Sequence, residues 1–106
     1  MQKLDAVLID DDPLVRMVWK MAAKQKGKVI LLVSSASEFL EKIDQIDPST
    51  PLYIDSHLGE EVKGEDFARD LSTRGFAEIY LATGYRAESF GALPGIKAVV
   101  GKDPPF

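Results

Sequence analysis

Short apolar runs alternate along the chain with longer segments in which apolar residues recur at helical spacing. The runs are nearly continuous, which is typical of strands that are covered on both faces of a sheet. Five strands are predicted, at residues 4–9, 29–33, 51–54, 79–82 and 96–100. The segments between them are long enough for crossover connections, so the pattern indicates a parallel sheet.

The segments between the runs predict four helices, at about residues 13–26, 39–46, 64–74 and 87–93. In the first helix the apolar residues at helical spacing are Leu14, Val18, Met21 and Ala22, and the solvent face and end carry Lys20, Lys24, Lys26 and Lys28. Gly27 ends the first helix and Gly75 the third. The fourth helix is weak because Gly91 interrupts it.

Right-handed crossovers place helices on both faces of a parallel sheet. The sequence therefore predicts a small doubly wound α/β fold with the flavodoxin-like strand order 2-1-3-4-5. With 106 residues, 45% of them hydrophobic and 28% charged, we expect one soluble domain spanning residues 1–106.

Composition excludes several classes of function. The net charge of −4, with scattered basic residues, argues against nucleic-acid binding. The longest apolar stretch, residues 29–33, is too short to span a bilayer, and no signal-peptide pattern is found. Cysteine is absent, which excludes disulfides and thiolate metal sites. We expect a cytoplasmic protein without membrane contact.

Polar residues follow most of the predicted strands where the strands end. Asp10, Asp11 and Asp12 follow the first strand, and Asp55 follows the third. By itself the first run also fits a simpler interpretation, with Asp12 as helix N-cap and its two neighbours solvated. In the order 2-1-3-4-5, however, strands one and three are adjacent, which would bring Asp10, Asp11 and Asp55 close together.

Such a carboxylate cluster, without histidine or cysteine partners, suits Mg²⁺. Thr83 and Lys102, after strands four and five, offer a hydroxyl and an ammonium that suit phosphoryl oxygens. An aspartate can accept a phosphoryl group as an acyl phosphate, and Asp55 is the candidate nucleophile. Taken singly, Thr83 also fits a strand-end cap, Lys102 a surface lysine, and His57 a solvated loop residue. His57 and Tyr85 would flank the bound phosphate and influence access of water.

Four short segments resemble the receiver domain of two-component response regulators. They are VLIDDDPLVR, LYIDS, LATG and VVGK, in that order along the chain. The resemblance implies that Asp55 accepts phosphate from a histidine kinase or histidine phosphotransfer protein. It also implies that the chain is not an enzyme for other substrates and catalyses only its own phosphorylation and dephosphorylation. It also implies Mg²⁺ ligands at Asp10, Asp11, Asp55 and the backbone carbonyl of His57. Thr83 and Lys102 would contact the phosphoryl oxygens, and Asp12 is then the helix cap.

The chain departs from the family pattern in several places. No proline follows Asp55 within a few residues, and Asp103 separates Lys102 from Pro104, which leaves the isomer of that proline bond open. Val99 replaces the aromatic residue common on the fifth strand. No fifth helix follows Lys102, so we expect bare apolar strand residues, an exposed Trp19, and self-association through that face unless the chain is part of a longer protein.

Two other functions remain open on the sequence. A phosphatase of the haloacid-dehalogenase type would use Asp10 and Asp12 as an Asp-x-Asp pair, with Thr83 and Lys102, but would leave Asp55 unexplained. A degenerate receiver would bind partners without being phosphorylated. Labelling by a small phosphodonor distinguishes the three.

Overall fold

In the computed structural model, which describes residues 3–58, 63–84 and 93–106, parallel strands form one five-stranded sheet. The strands are β1 (Ala6–Ile9), β2 (Ile30–Val33), β3 (Leu52–Ile54), β4 (Ile79–Ala82) and β5 (Ala98–Val100). Their order is β2-β1-β3-β4-β5, and every neighbouring pair is parallel. The predicted fold class and strand order are confirmed.

The register of the central strands aligns their carboxyl ends. Ile9, the last residue of β1, is the partner of Ile54 on β3 and of Val33 on β2. The Asp55 N–H donates to the Ile9 carbonyl at 2.9 Å, and the Asp10 N–H donates to the Val33 carbonyl at 3.1 Å. The first acids after β1 and β3 therefore leave the sheet side by side.

The described helices are α1 (Pro13–Lys26), α2 (Ala36–Lys42), which a 3₁₀ turn (Ile43–Gln45) extends, and α3 (Gly64–Thr73). Asp12 caps α1 by accepting a hydrogen bond from the Leu14 N–H at 2.9 Å, and Gly27 ends it at φ 65°. The predicted bounds and cap of α1 are thus confirmed. Most of the predicted fourth helix lies outside the described residues.

The hydrophobic core is largest between the sheet and helices α2 and α3. Phe39 of α2 makes edge-on contacts with Phe67 of α3 and with Phe76, at ring-centroid distances of 6.0 and 5.9 Å. Val7, Ile9, Leu52 and Ile54 of the central strands join this cluster. Because successive strand residues face opposite sides, Tyr53 lies on the other face, where it contacts Trp19 of α1.

Helix α1 buries a different stripe from the one that its spacing favoured. Leu14, Val18 and Met21 are 68%, 53% and 59% exposed, whereas Trp19 and Ala23 are buried. Both sets of residues have helical spacing. The stripe that contains Trp19 is the buried one because the large indole fills the space above β3. The apolar stripe at helical spacing is therefore not the buried one, whereas the lysines predicted at the solvent face and end of α1 are all exposed, as expected.

The expectation that Trp19 would be exposed was also wrong. No helix follows β5 within residues 101–106, as predicted, but this segment crosses the sheet face and Phe106 contacts the indole edge-on at 5.9 Å. Trp19 is consequently 0% exposed. The Asp103–Pro104 bond is trans, since the described part of the chain has no cis peptide.

Residues 101–106 leave part of this sheet face uncovered beside β5. A cavity of about 260 Å³ lies there, next to the stacked rings of Tyr53 and Tyr80. Across the described ranges, none of the helices has the length and apolar character needed to traverse a membrane.

Candidate functional site

The structure brings the predicted site residues together at the carboxyl edge of the sheet. Asp10, Asp55 and Thr83 each follow a strand directly and are buried, with 0%, 5% and 3% exposure. Lys102 lies two residues beyond β5 and reaches back over this edge. Parallel strands end at the same side, so residues far apart in sequence meet here.

Three carboxylates form the acidic part of the site. Asp10, Asp11 and Asp55 each offer an oxygen, and these oxygens all lie within 4.8 Å of one another. Asp10 and Asp55 are buried while Asp11 is exposed, so the cluster is open to solvent on one side. Oxygen donors only, with room for water ligands, match the preference of Mg²⁺.

Lys102 bridges the two buried acids. Its Nζ lies 3.1 Å from Oδ1 of Asp55 and 3.2 Å from Oδ2 of Asp10. Burial lowers the pKa of Lys102, but the hydrogen bond to Asp55 and the charge of Asp10 outweigh burial, so the pKa is raised. Lys102 is held as an ammonium between the acids.

Ionisation of the Asp55 carboxyl is opposed by its surroundings. Burial raises the pKa of its carboxyl, and the charge of Asp10 raises it further. Lys102 and the backbone N–H of His57 act in the opposite direction but do not cancel these effects. A divalent cation would relieve the repulsion between Asp55 and Asp10.

The three consecutive aspartates have different positions. Oδ1 of Asp10 accepts from the Asp12 N–H at 2.9 Å, and the Asp10 carbonyl accepts from Nη1 of Arg16 at 2.8 Å. The Asp12 side chain caps α1 instead of joining the cluster, which contains Asp10 and Asp11. The turn after β1 is thereby fixed to the first turns of α1.

Two residues at the site were missed by the sequence reasoning. Ser56 is buried, and its Oγ lies 3.0 Å from Oγ1 of Thr83. Gly64 donates its N–H to the Ser56 carbonyl at 2.9 Å, and a Cβ on Gly64 would collide with the Asp55 carbonyl. The position of Ser56 next to Asp55, and a glycine opening α3, were the available signals.

The remaining predicted residues are peripheral or undescribed. His57 is exposed and forms an isolated antiparallel bridge with Lys63. Tyr85 lies outside the described residues. The role of the His57 carbonyl as a metal ligand stays a prediction.

Comparison with known proteins gives matches among solved structures. No family model matches the chain, and no curated protein matches it. A CheY-like receiver domain protein of Methanospirillum hungatei JF-1 matches with a TM-score of 0.74 and 22% identity, over 98% of this chain and 84% of that one. The response regulator TrrA of Thermotoga maritima, in complex with Mg²⁺ and BeF, matches with a TM-score of 0.75 and 20% identity, over 95% and 88%.

A third match is a CheY-like receiver domain from Methylobacillus flagellatus, with a TM-score of 0.72 and 14% identity, covering 99% of this chain and 89% of that one. These likenesses extend over almost the whole chain. The chain has the fold of CheY-like response regulator receiver domains, as the four sequence motifs implied.

Proposed function

We propose that this chain is a receiver module of a two-component phosphorelay, in which Asp55 accepts a phosphoryl group in a Mg²⁺-dependent reaction. The observation that carries the proposal is the Lys102 ammonium, which lies within 3.2 Å of both Asp10 and Asp55. A partly buried ammonium over a carboxylate cluster is an arrangement suited to neutralising phosphoryl oxygens.

Asp10, Asp11 and Asp55, with the His57 carbonyl, would hold the cation. Bound Mg²⁺ would neutralise charge on the transferring group and on the acids. The exposed side of the cluster, at Asp11, is the side from which a phosphodonor can approach. Of the two acids that Lys102 contacts, Asp55 is the proposed acceptor, because its side chain keeps some exposure to solvent whereas that of Asp10 has none.

Transfer would form a bond between a carboxylate oxygen of Asp55 and phosphorus. The P–N bond of a donor phosphohistidine breaks, and its electron pair returns to the imidazole. The Lys102 ammonium would then contact the oxygens of the transferred phosphoryl group. The Thr83 hydroxyl, now hydrogen-bonded to Ser56, would turn toward them.

A histidine kinase or histidine phosphotransfer protein is the proposed donor. The apolar stripe of α1 supports this because it begins directly after the site. Leu14, Met17, Val18 and Met21 are all more than half exposed, and Asp12 precedes them at the edge of the acidic cluster. A donor helix packed on this stripe would place its phosphohistidine near Asp55.

The phosphatase alternative loses support because Asp12 caps α1, so the Asp-x-Asp pair does not face the site jointly. The function of the chain is tested by incubation with Mg²⁺ and acetyl phosphate. We expect a hydroxylamine-labile adduct that Asp55→Asn abolishes and Asp12→Asn leaves unchanged. Labelling lost only in Asp10→Asn would indicate the phosphatase, and no adduct at all would indicate a degenerate receiver.

A further inference from the structure

Trp19 makes a specific hydrogen bond to the backbone of the site lysine. Its Nε1 donates to the Lys102 carbonyl at 2.8 Å, across 83 residues of sequence. The indole is fully buried whereas Lys102 is partly exposed, so the donor side of this bond is shielded from water. Trp19 is the only tryptophan in the chain.

The bond occurs where the backbone of Lys102 has left the sheet. The Thr83 N–H donates to the carbonyl of Val100, the last residue of β5, at 2.9 Å. Lys102 lies two residues further on, after Gly101, whose backbone is conformationally permissive. The placement of the ammonium therefore depends on what holds the segment after β5.

The indole is itself held from two sides. Tyr53 of β3 contacts it edge-on at 5.2 Å, and Phe106 does so at 5.9 Å. Trp19 also belongs to α1, whose cap and first turn are tied to Asp10 through Asp12 and Arg16. One rigid side chain thus joins the segment that carries Lys102 to the helix anchored at the acids.

We propose that Trp19 is a positioning residue for Lys102, whose carbonyl it fixes so that the ammonium stays between Asp10 and Asp55. The inference rests on the proposed function for its effect on phosphorylation, but not for its effect on the lysine. Displacing a charged group from its working position by about 1 Å lowers rates by up to about 100-fold. We expect loss of the indole N–H to slow phosphorylation about tenfold.

The first test needs no phosphorylation. An ammonium in stable hydrogen bonds exchanges its protons slowly and gives a cross-peak in a ¹H–¹⁵N spectrum. We expect one such peak that Lys102→Met removes, that Trp19→Phe weakens at least threefold, and that Phe39→Leu retains. Phe39 is a buried aromatic on the opposite face of the sheet, so its truncation controls for lost stability.

The second test is a double-mutant cycle on labelling by acetyl phosphate. Trp19→Phe should lower the rate about tenfold in the wild-type background and less than twofold in Lys102→Met. An unchanged ammonium peak in Trp19→Phe, or equal slowing in both backgrounds, would overturn the inference. Equal slowing by Phe39→Leu would also overturn it. If the wild type acquires no label, the proposed function fails while the ammonium spectrum still decides the role of Trp19.

Discussion

The hydroxyls of Ser56 and Thr83 lie 3.0 Å apart in the protein interior, joined by a hydrogen bond across the ends of β3 and β4. Ser56 follows the proposed phosphoacceptor and Thr83 is a proposed phosphoryl contact. The bond therefore links two neighbouring strand ends at the point where the reaction would take place.

Ser56→Ala removes this hydrogen bond and almost no volume. We expect the free energy of unfolding to fall by about 1 kcal/mol, as for a typical buried hydrogen bond. Urea denaturation followed by circular dichroism measures the change. Ser49→Ala is the matched control, because Ser49 bonds Asp47 at an exposed turn. Equal losses in the two variants would contradict the structural role of Ser56.

Asp55→Asn should stabilise the metal-free protein more at neutral pH than in acid. Burial and the charge of Asp10 raise the pKa of Asp55, so the folded state binds its proton more tightly than the unfolded state does. The wild type thus loses stability as the pH rises from the ordinary aspartate pKa of 3.8 through the raised one. The Asp55→Asn variant has no titrating carboxyl at this position, so its stability does not fall in this way as the pH rises.

Urea denaturation of both proteins between about pH 4 and pH 7, without Mg²⁺, measures the difference in the free energy of unfolding. The difference should grow with pH and then level off. Asp44→Asn, at an exposed position, provides the control for a general change in charge. A difference that shrinks as the pH rises would contradict the raised pKa of Asp55.

Mg²⁺ should stabilise the protein by about 1.4 kcal/mol when its concentration is ten times the dissociation constant. Asp11→Asn should lower the affinity at least tenfold, because Asp11 supplies one of the clustered oxygens. Asp12→Asn retains a good helix cap and should change the affinity less than twofold. Calorimetric titration measures both, and equal effects would indicate general attraction in place of a defined metal site.

Met17→Glu should lower the rate of phosphotransfer from a protein donor and leave the rate of labelling by small phosphodonors unchanged. Met17 lies 57% exposed in the apolar stripe of α1, so the change places a charge on the proposed docking surface. With any histidine phosphotransfer protein that labels the wild type, we expect at least a tenfold slower transfer. Labelling by acetyl phosphate should stay within twofold. Gln25→Glu adds the same charge at the exposed far end of α1, and equal slowing there would contradict the docking surface.

Self-association through the sheet face beside β5 stays a prediction. The uncovered surface available for it is smaller than the sequence suggested. Residues 101–106 bury Trp19, and the remaining opening lies beside Tyr53 and Tyr80. Sedimentation at high concentration tests it. We expect a dimer that Tyr80→Lys disrupts, and a clean monomer in the wild type would contradict the prediction.

Much of the fold and of the acidic cluster could be predicted from sequence because the signals are local. Buried parallel strands require continuous apolar runs, and Asp10, Asp55 and Thr83 directly follow three of those runs. The Asp12 cap and the Gly27 end of α1 are likewise set by neighbouring residues. The strand order then places the acids together, since β1 and β3 are adjacent.

The sequence by itself determined the alternation of strands and helices and the residues at the carboxyl edge of the sheet. Tertiary structure alone decided which stripe of α1 is buried and what covers Trp19. It also decided that Ser56 bonds Thr83 and that Trp19 bonds Lys102, pairs separated by 27 and 83 positions. Such contacts depend on how whole elements pack in space, which no local pattern of residues specifies.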